Sequence, residues 1–155
     1  MDREIDFYMG TATFHVNMES SADKATYKGK FKVRCVLSPI EFIRSDSMYR
    51  ELLGNSNPQF ATDYVSSLCY ALSQLKYRII ESPAWYKNPD GIDGGNLDDS
   101  ILLKVLDEAV NCESDYREGI EKKYEKAKGE VVAAIEDGSL NDGVEEEKTD
   151  EETEE

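Results

Sequence analysis

The residues best suited to chemistry sit in one connector, NPDGIDGGNLDDS, where Asn88, Asp90, Asp93, Asn96, Asp98 and Asp99 offer the oxygen atoms that calcium prefers. A calcium loop of the EF-hand kind needs oxygens at alternate positions, a glycine at the sixth and a bidentate glutamate at the twelfth. Counted from Asn88, the fifth position is Ile92 and the twelfth is Asp99, so the spacing fails. The connector reads without a metal as an exposed loop whose glycines turn the chain and whose aspartates cap the next helix at its positive end. Just upstream stand Trp85, the only tryptophan, and Tyr86. Such a pair either packs over the ends of the flanking helices or anchors a partner surface. His15 has no Ser, Cys or Asp nearby to complete a relay, and it falls on the polar side of its segment. Cys35, Cys69 and Cys112 are far apart, form no CxxC pair and accompany a single histidine, which argues against zinc. They fall on or beside apolar stripes and read as small buried hydrophobes. These residues give no reason to expect a catalytic, cofactor or metal site.

Charge narrows the partners. The net charge of −15 disfavours binding to phosphate backbones, because such a surface repels nucleic acid. Much of it is concentrated in residues 141–155, where Asp142, Glu145, Glu146, Glu147, Asp150, Glu151, Glu152, Glu154 and Glu155 face one base, Lys148. That composition predicts a disordered acidic tail, acting as a solubility device or as a shield for a sticky or basic partner surface. Its attraction would be screened over about 8–10 Å at physiological salt. The one basic patch is Lys28, Lys30, Lys32 and Arg34. It could answer the acidic tail, within one molecule or between copies, or be a solvated strand face with edge-protecting lysines. No apolar run approaches the roughly 20 residues of a membrane span, and the start MDREIDFYMG lacks a signal-peptide core. The expected location is the cytoplasm.

The elements that must position these residues follow from periodicity. TATFHVNM places Phe14, Val16 and Met18 on one face; KGKFKVRCVLS places Phe31, Val33, Cys35 and Leu37 on one face and Lys30, Lys32 and Arg34 on the other. Both are half-buried strand patterns, and the polar segment between them suits the loop of an antiparallel hairpin. Ser38, Pro39 and Glu41 form a capping box that opens a first helix, with Ile40, Ile43, Tyr49, Leu52 and Leu53 as its apolar side and Gly54 as its stop. A second helix is predicted from Asn57 and Pro58 to Ser82, with Ala61, Tyr64, Val65, Leu68, Leu72, Leu75 and Ile79 on one stripe; Arg50 of the first helix and Lys76 and Arg78 of the second read as helix-surface charges. The third, capped by Asn96 or Asp98, carries a stripe from Leu102 to Ile135, with a bend or break expected at Gly119 or Gly129. The prediction is an α+β domain over residues 1–140, an N-terminal antiparallel β-hairpin packed on three helices, the last one long, followed by the disordered acidic tail.

The runs GKFKVRCVLSPIEFIRSDSMYRELLG, YALSQLKYRIIESPAWY and GGNLDDSILLKVLDEAV, spanning Gly29 to Val110, resemble small accessory proteins encoded among the virion and tail-assembly genes of tailed bacteriophages, including the tail-assembly-chaperone type. The resemblance implies a nonenzymatic protein of the host cytoplasm or the virion, whose partners are other phage structural or tail proteins; homo-oligomers are allowed, and the charge and the lack of a long apolar run argue against nucleic-acid and membrane partners. On that expectation Trp85, Tyr86, Lys30, Lys32 and Arg34 are the candidate partner-binding residues. A capsid, neck or tail component present in many copies, pairing through its hairpin edge, is the alternative; a metal-binding regulator using the Asp-rich connector is a third.

Overall fold

Alternating side chains make two long strands, and the sheet built on them is wider than a hairpin. The structure, a computed structural model, describes residues 3–54 and 61–136. Three strands open the chain: β1 (Glu4–Asp6), β2 (Thr11–Glu19) and β3 (Thr26–Arg34). β2 and β3 pair antiparallel over their full length, from Thr11 opposite Arg34 to Glu19 opposite Thr26. A fourth strand, β4 (Ile79–Glu81), completes an antiparallel sheet in the order β1-β2-β3-β4. The two short edge strands are not legible as strands in the sequence, because three residues cannot show an alternation.

One face of the sheet is apolar. Ala12, Phe14 and Val16 from β2 and Phe31 and Val33 from β3 are buried, with Phe14 stacked on Phe31 at 5.4 Å directly across the register. Two helices cover that face: α2 (Asp63–Arg78) supplies Ala71 and Leu75, and α3 (Asp99–Glu136) supplies Leu102, Val105, Ala109 and Cys112. Each large apolar side chain removed from water contributes about 1.5–3 kcal/mol. The remaining helix, α1 (Pro39–Leu52), opens with the expected capping box: Ser38 Oγ accepts from the Glu41 N–H, and the Glu41 carboxylate accepts from the Ser38 N–H. Gly54, at φ +68°, ends it.

The second helix differs from its predicted limits at both ends. It starts at Asp63, where Thr62 Oγ1 accepts from Val65 N at 3.3 Å, so Thr62 provides the cap. Asn57 and Pro58 lie outside the described residues. At the other end Ile79 still donates its N–H to Leu75, but its backbone is extended, and the chain passes directly into β4. The β-branched pair Ile79–Ile80 suits a strand beside β3, which ends the helix before Ser82 and Pro83 can.

Arg78, expected on the helix surface, is instead 7% exposed. Its guanidinium donates to the Cys35 carbonyl at 2.9 Å, to Gln74 Oε1 at 3.3 Å and to Glu113 Oε2 at 2.6 Å. Gln74 in turn donates to Ser45 Oγ at 2.9 Å. One buried cation thus ties α1, α2, α3 and the end of β3, and its donors find the partners that burial demands.

α3 is one continuous helix from Asp99 to Glu136, with no break at Gly119 or Gly129. Gly119 has a packing reason: a Cβ there would lie 2.2 Å from the Phe7 ring, which stacks on Tyr116 at 5.7 Å. By internal contacts the chain divides into Met1–Gly119 and Ile120–Glu155. The sheet, α1, α2 and the buried part of α3 belong to the first unit. Residues 141–155, the acidic segment, lie outside the described residues.

Candidate protein-interaction surface

The apolar residues of the first turns of α1 do not face the core. α1 approaches α2 through Ser45, which is fully buried and hydrogen-bonded to Gln74, with Ser73 beside it. Small polar residues at the contact let the two helices come close, and that contact fixes the rotation of α1. Ile40, Phe42 and Ile43 are consequently 54%, 61% and 62% exposed, next to an exposed Val36. Of the stripe predicted for this helix, Leu53 is buried and Tyr49 and Leu52 are half-buried, whereas Ile40 and Ile43 point to solvent. Beside this patch Phe42, Tyr49 and Tyr70 line a hollow of about 210 Å³ between α1 and α2, with Tyr49 and Tyr70 edge to face at 6.4 Å. A neighbouring hollow of about 410 Å³ is lined by Arg44, Met48, Leu52, Tyr77 and Ile92.

The aromatic pair of the connector is bound up with the sheet. Tyr86 is 3% exposed and meets Phe31 edge-on at 5.3 Å. Burial pushes its hydroxyl well above the ordinary tyrosine range. Trp85 is half-buried; its Nε1 donates to the Lys28 carbonyl at 2.8 Å, and its ring contacts Tyr27 and Phe31. The pair therefore packs on β3, not over the helix ends. Gly29 permits this: a Cβ at that position would lie 2.1 Å from Pro83 Cγ. As candidate partner residues, Tyr86 is enclosed by the fold and Trp85 offers only part of its ring.

Three of the connector's aspartates, Asp93, Asp98 and Asp99, hold protein donors. Asp93 accepts from the Asn88 N–H and from Lys87 Nζ, each at 3.0 Å. Asp98 caps α3 by accepting from Ser100 N, and its other oxygen accepts from Ser20 Oγ, Ser21 Oγ and Ala22 N, which pins the β2–β3 loop to the start of α3. Hydrogen bonding with Asp99, then with Ser20 and the Ser100 and Ala22 amides, holds the Asp98 carboxyl far below its usual range. Asp99 accepts from the Tyr64 hydroxyl. Among the described residues no group of three or more His, Cys, Asp or Glu side chains is arranged to hold a metal.

The basic residues lie on the sheet face opposite the core. Lys30 is exposed and stands across from His15 in the register. Lys32 approaches Glu81 at 3.8 Å, and Arg34 donates to Glu41 at 2.5 Å and to the Tyr77 carbonyl at 3.1 Å. β4 pairs with β3 only at Lys32 and Val33, so Lys32 is inside the sheet, while among the described residues no strand lies beside that side of β3 at Lys28 and Lys30. Cys35, Cys69 and Cys112 are free and buried, and burial raises the Cys35 thiol to about 11 and the Cys112 thiol to about 12, which suppresses thiolate chemistry.

Residue by residue, the structure brings Trp85 and Tyr86 together with Phe31, keeps Lys30, Lys32 and Arg34 on the far side of the sheet, and adds a surface that periodicity assigns to the core. Phe42 is the available signal for that surface, since it falls off the stripe of α1 and still is a large apolar residue. The class defined here is an α+β protein with one sheet face covered by helices. Comparison with protein-family models, with curated proteins and with solved structures gives no match. No helix among the described residues is long and apolar enough to cross a membrane.

Proposed function

We propose that this chain is a nonenzymatic assembly protein of the tail-assembly-chaperone kind, which holds a phage structural or tail protein through the outer face of α1. The observation that carries the reading is the exposure of Ile40, Phe42 and Ile43 on a helix whose inner side is occupied by Ser45. Contiguous exposed apolar side chains on a folded domain mark contact surfaces, and the aromatic hollow beside them gives a partner side chain a place to insert. The resemblance of Gly29–Val110 to tail-assembly accessory proteins supplies the setting. The test is capture from infected cells by the tagged protein and by a Phe42→Asp/Ile43→Asp variant, with circular dichroism confirming that both fold. Specific capture of a tail or tube protein, lost in the variant, is the expected result; equal capture by both would remove α1 from the proposal.

A second reading, a virion component present in many copies, draws on the sheet edge. β1 pairs with β2 only from Thr11 to Thr13, so among the described residues no strand lies beside the outer side of His15–Glu19. A neighbour's strand could add there. Mass spectrometry of purified virions separates the two readings, since a chaperone is absent from mature particles and a component is abundant.

A further inference from the structure

The second unit carries an apolar seam of its own. Ile120, Tyr124, Ala127, Val131 and Ala134 recur at alternating spacings of four and three, the a/d pattern of a coiled coil, with Tyr124 and Val131 at a and Ile120, Ala127 and Ala134 at d. Tyr124 is 66% exposed, and Ile120, Val131 and Ile135 are exposed as well. Tyr124, Ala127, Val131 and Val132 line a shallow groove along the helix.

We infer that this half of α3 is a self-association surface that pairs with the same segment of a second copy in antiparallel orientation. The seam itself selects that orientation. In antiparallel pairing an a residue faces a d residue, so Tyr124 lies against the second copy's Ala127, and Ile120 against its Val131. Large then meets small at the centre of the pair. A parallel pair would instead stack Tyr124 on Tyr124 and leave Ala127 facing Ala127, with a void. The flanking charges agree. Glu121 and Lys128 occupy e, and Lys123 and Glu130 occupy g. Antiparallel helices bring e against e and g against g, which matches Glu121 with the second copy's Lys128 and Lys123 with its Glu130. A parallel pair would match g with e and set Lys123 against Lys128. The acidic residues from Asp142 to Glu155 follow this helix in sequence, so a parallel pair would also start two like-charged segments from the same end. Two heptads make a small interface, so the association is weak and appears at high chain concentration.

Sedimentation equilibrium of the full chain, from low micromolar to near-millimolar concentration, tests the inference. The wild type is expected to rise from the monomer mass toward twice that value. Val131→Lys, at an exposed position, is expected to stay monomeric with unchanged circular dichroism. Lys128→Glu sets a second carboxylate against Glu121 in both symmetric contacts, and the expected result is a dissociation constant weaker by roughly three- to tenfold; adding Glu121→Lys restores the pairing. Constant monomer mass for the wild type overturns the inference, as it would if another protein or another segment of this chain covers the seam. Tighter association of Lys128→Glu overturns the antiparallel orientation, because only the parallel arrangement relieves a lysine pair there. A double variant that remains as weak as the single one also overturns it.

Discussion

Two stretches of α3 carry apolar residues at the same spacing and meet opposite fates. Ile101, Leu102, Val105, Ala109 and Cys112 are buried, whereas Ile120, Tyr124, Val131 and Ile135 are exposed. Helical spacing states which side chains share a face; what covers that face is a tertiary property. The earlier stretch has the sheet's apolar face and α2 to pack on. α1 repeats the lesson within the first unit, where Ile40 and Ile43 keep a helical spacing and point outward because Ser45 makes the contact. Periodicity alone would place all three stripes in one core.

The comparison between covered and uncovered positions can be broken by matched substitutions. The largest expected effect is on charge: Arg78→Ala leaves Glu113 short of a partner and the Cys35 carbonyl without its donor, and is expected to cost about 3–5 kcal/mol in urea unfolding. Arg50→Ala, which removes an exposed pair with Asp46, is expected to cost less than about 1 kcal/mol. Equal losses would mean that Arg78 is not held as described. Among apolar residues, Leu102→Ala is expected to cost about 2–5 kcal/mol, and Ile135→Ala to stay within about 0.5 kcal/mol at concentrations where the chain is monomeric. A large loss at Ile135 would place that residue in a packed environment.

Glycine sharpens the same comparison with one substitution tried twice. A Cβ at Gly129 meets nothing within 4 Å, so Gly129→Ala gains helix propensity, about 1 kcal/mol. At Gly119 the added carbon would strike the Phe7 ring at 2.2 Å, and the displacement of Phe7 from Tyr116 outweighs the propensity gain, for a net loss of about 1 kcal/mol. Opposite signs in thermal melts are the expected outcome; stabilisation by both would show that Phe7 does not rest on α3.

Local chemistry explains which parts of the fold are legible in the sequence. β2 and β3 are each announced by alternation, and the Ser38–Glu41 box by capping, signals that rest on residues within a few positions of each other; the polar segment between the strands then implies their pairing. β1 and β4 exist because longer strands offer them a side to pair with, and nothing within three residues announces that. Arg78 reads as a surface charge in sequence because burial of a guanidinium requires a carbonyl, an amide and a carboxylate, and these come from β3's end, Gln74 and Glu113. Its spacing from Gln74 and Leu75 is the available sign. Trp85 and Tyr86 stand out by residue type, yet their position on β3 depends on Gly29, whose role is invisible until Pro83 lies against it. The candidate surface on α1 is hidden for the converse reason: Ile40 and Ile43 keep the spacing of core residues, and only Phe42, off their stripe, marks it.

The smallest effect concerns pH and the same buried cation. Burial alone would raise the Glu113 carboxyl, but hydrogen bonds from Arg117 and Arg78 outweigh it and hold the group below its ordinary value of 4.5. A carboxyl lowered in the folded state binds its proton less readily than in the unfolded chain, so protonation favours unfolding. Its contribution to stability is complete above about 4.5 and is lost as the pH falls through the lower, folded value. Urea midpoints measured from about pH 6 down to about pH 3 are expected to fall for the wild type, with a shallower decline for Glu113→Gln, which starts lower because Arg78 and Arg117 have lost their charged acceptor. Other carboxyls titrate in both proteins, so the difference between the two curves isolates Glu113. Parallel curves would show that Glu113 gains nothing from the arginines, and would reduce the Arg78 cluster to hydrogen bonds that a neutral side chain serves equally well.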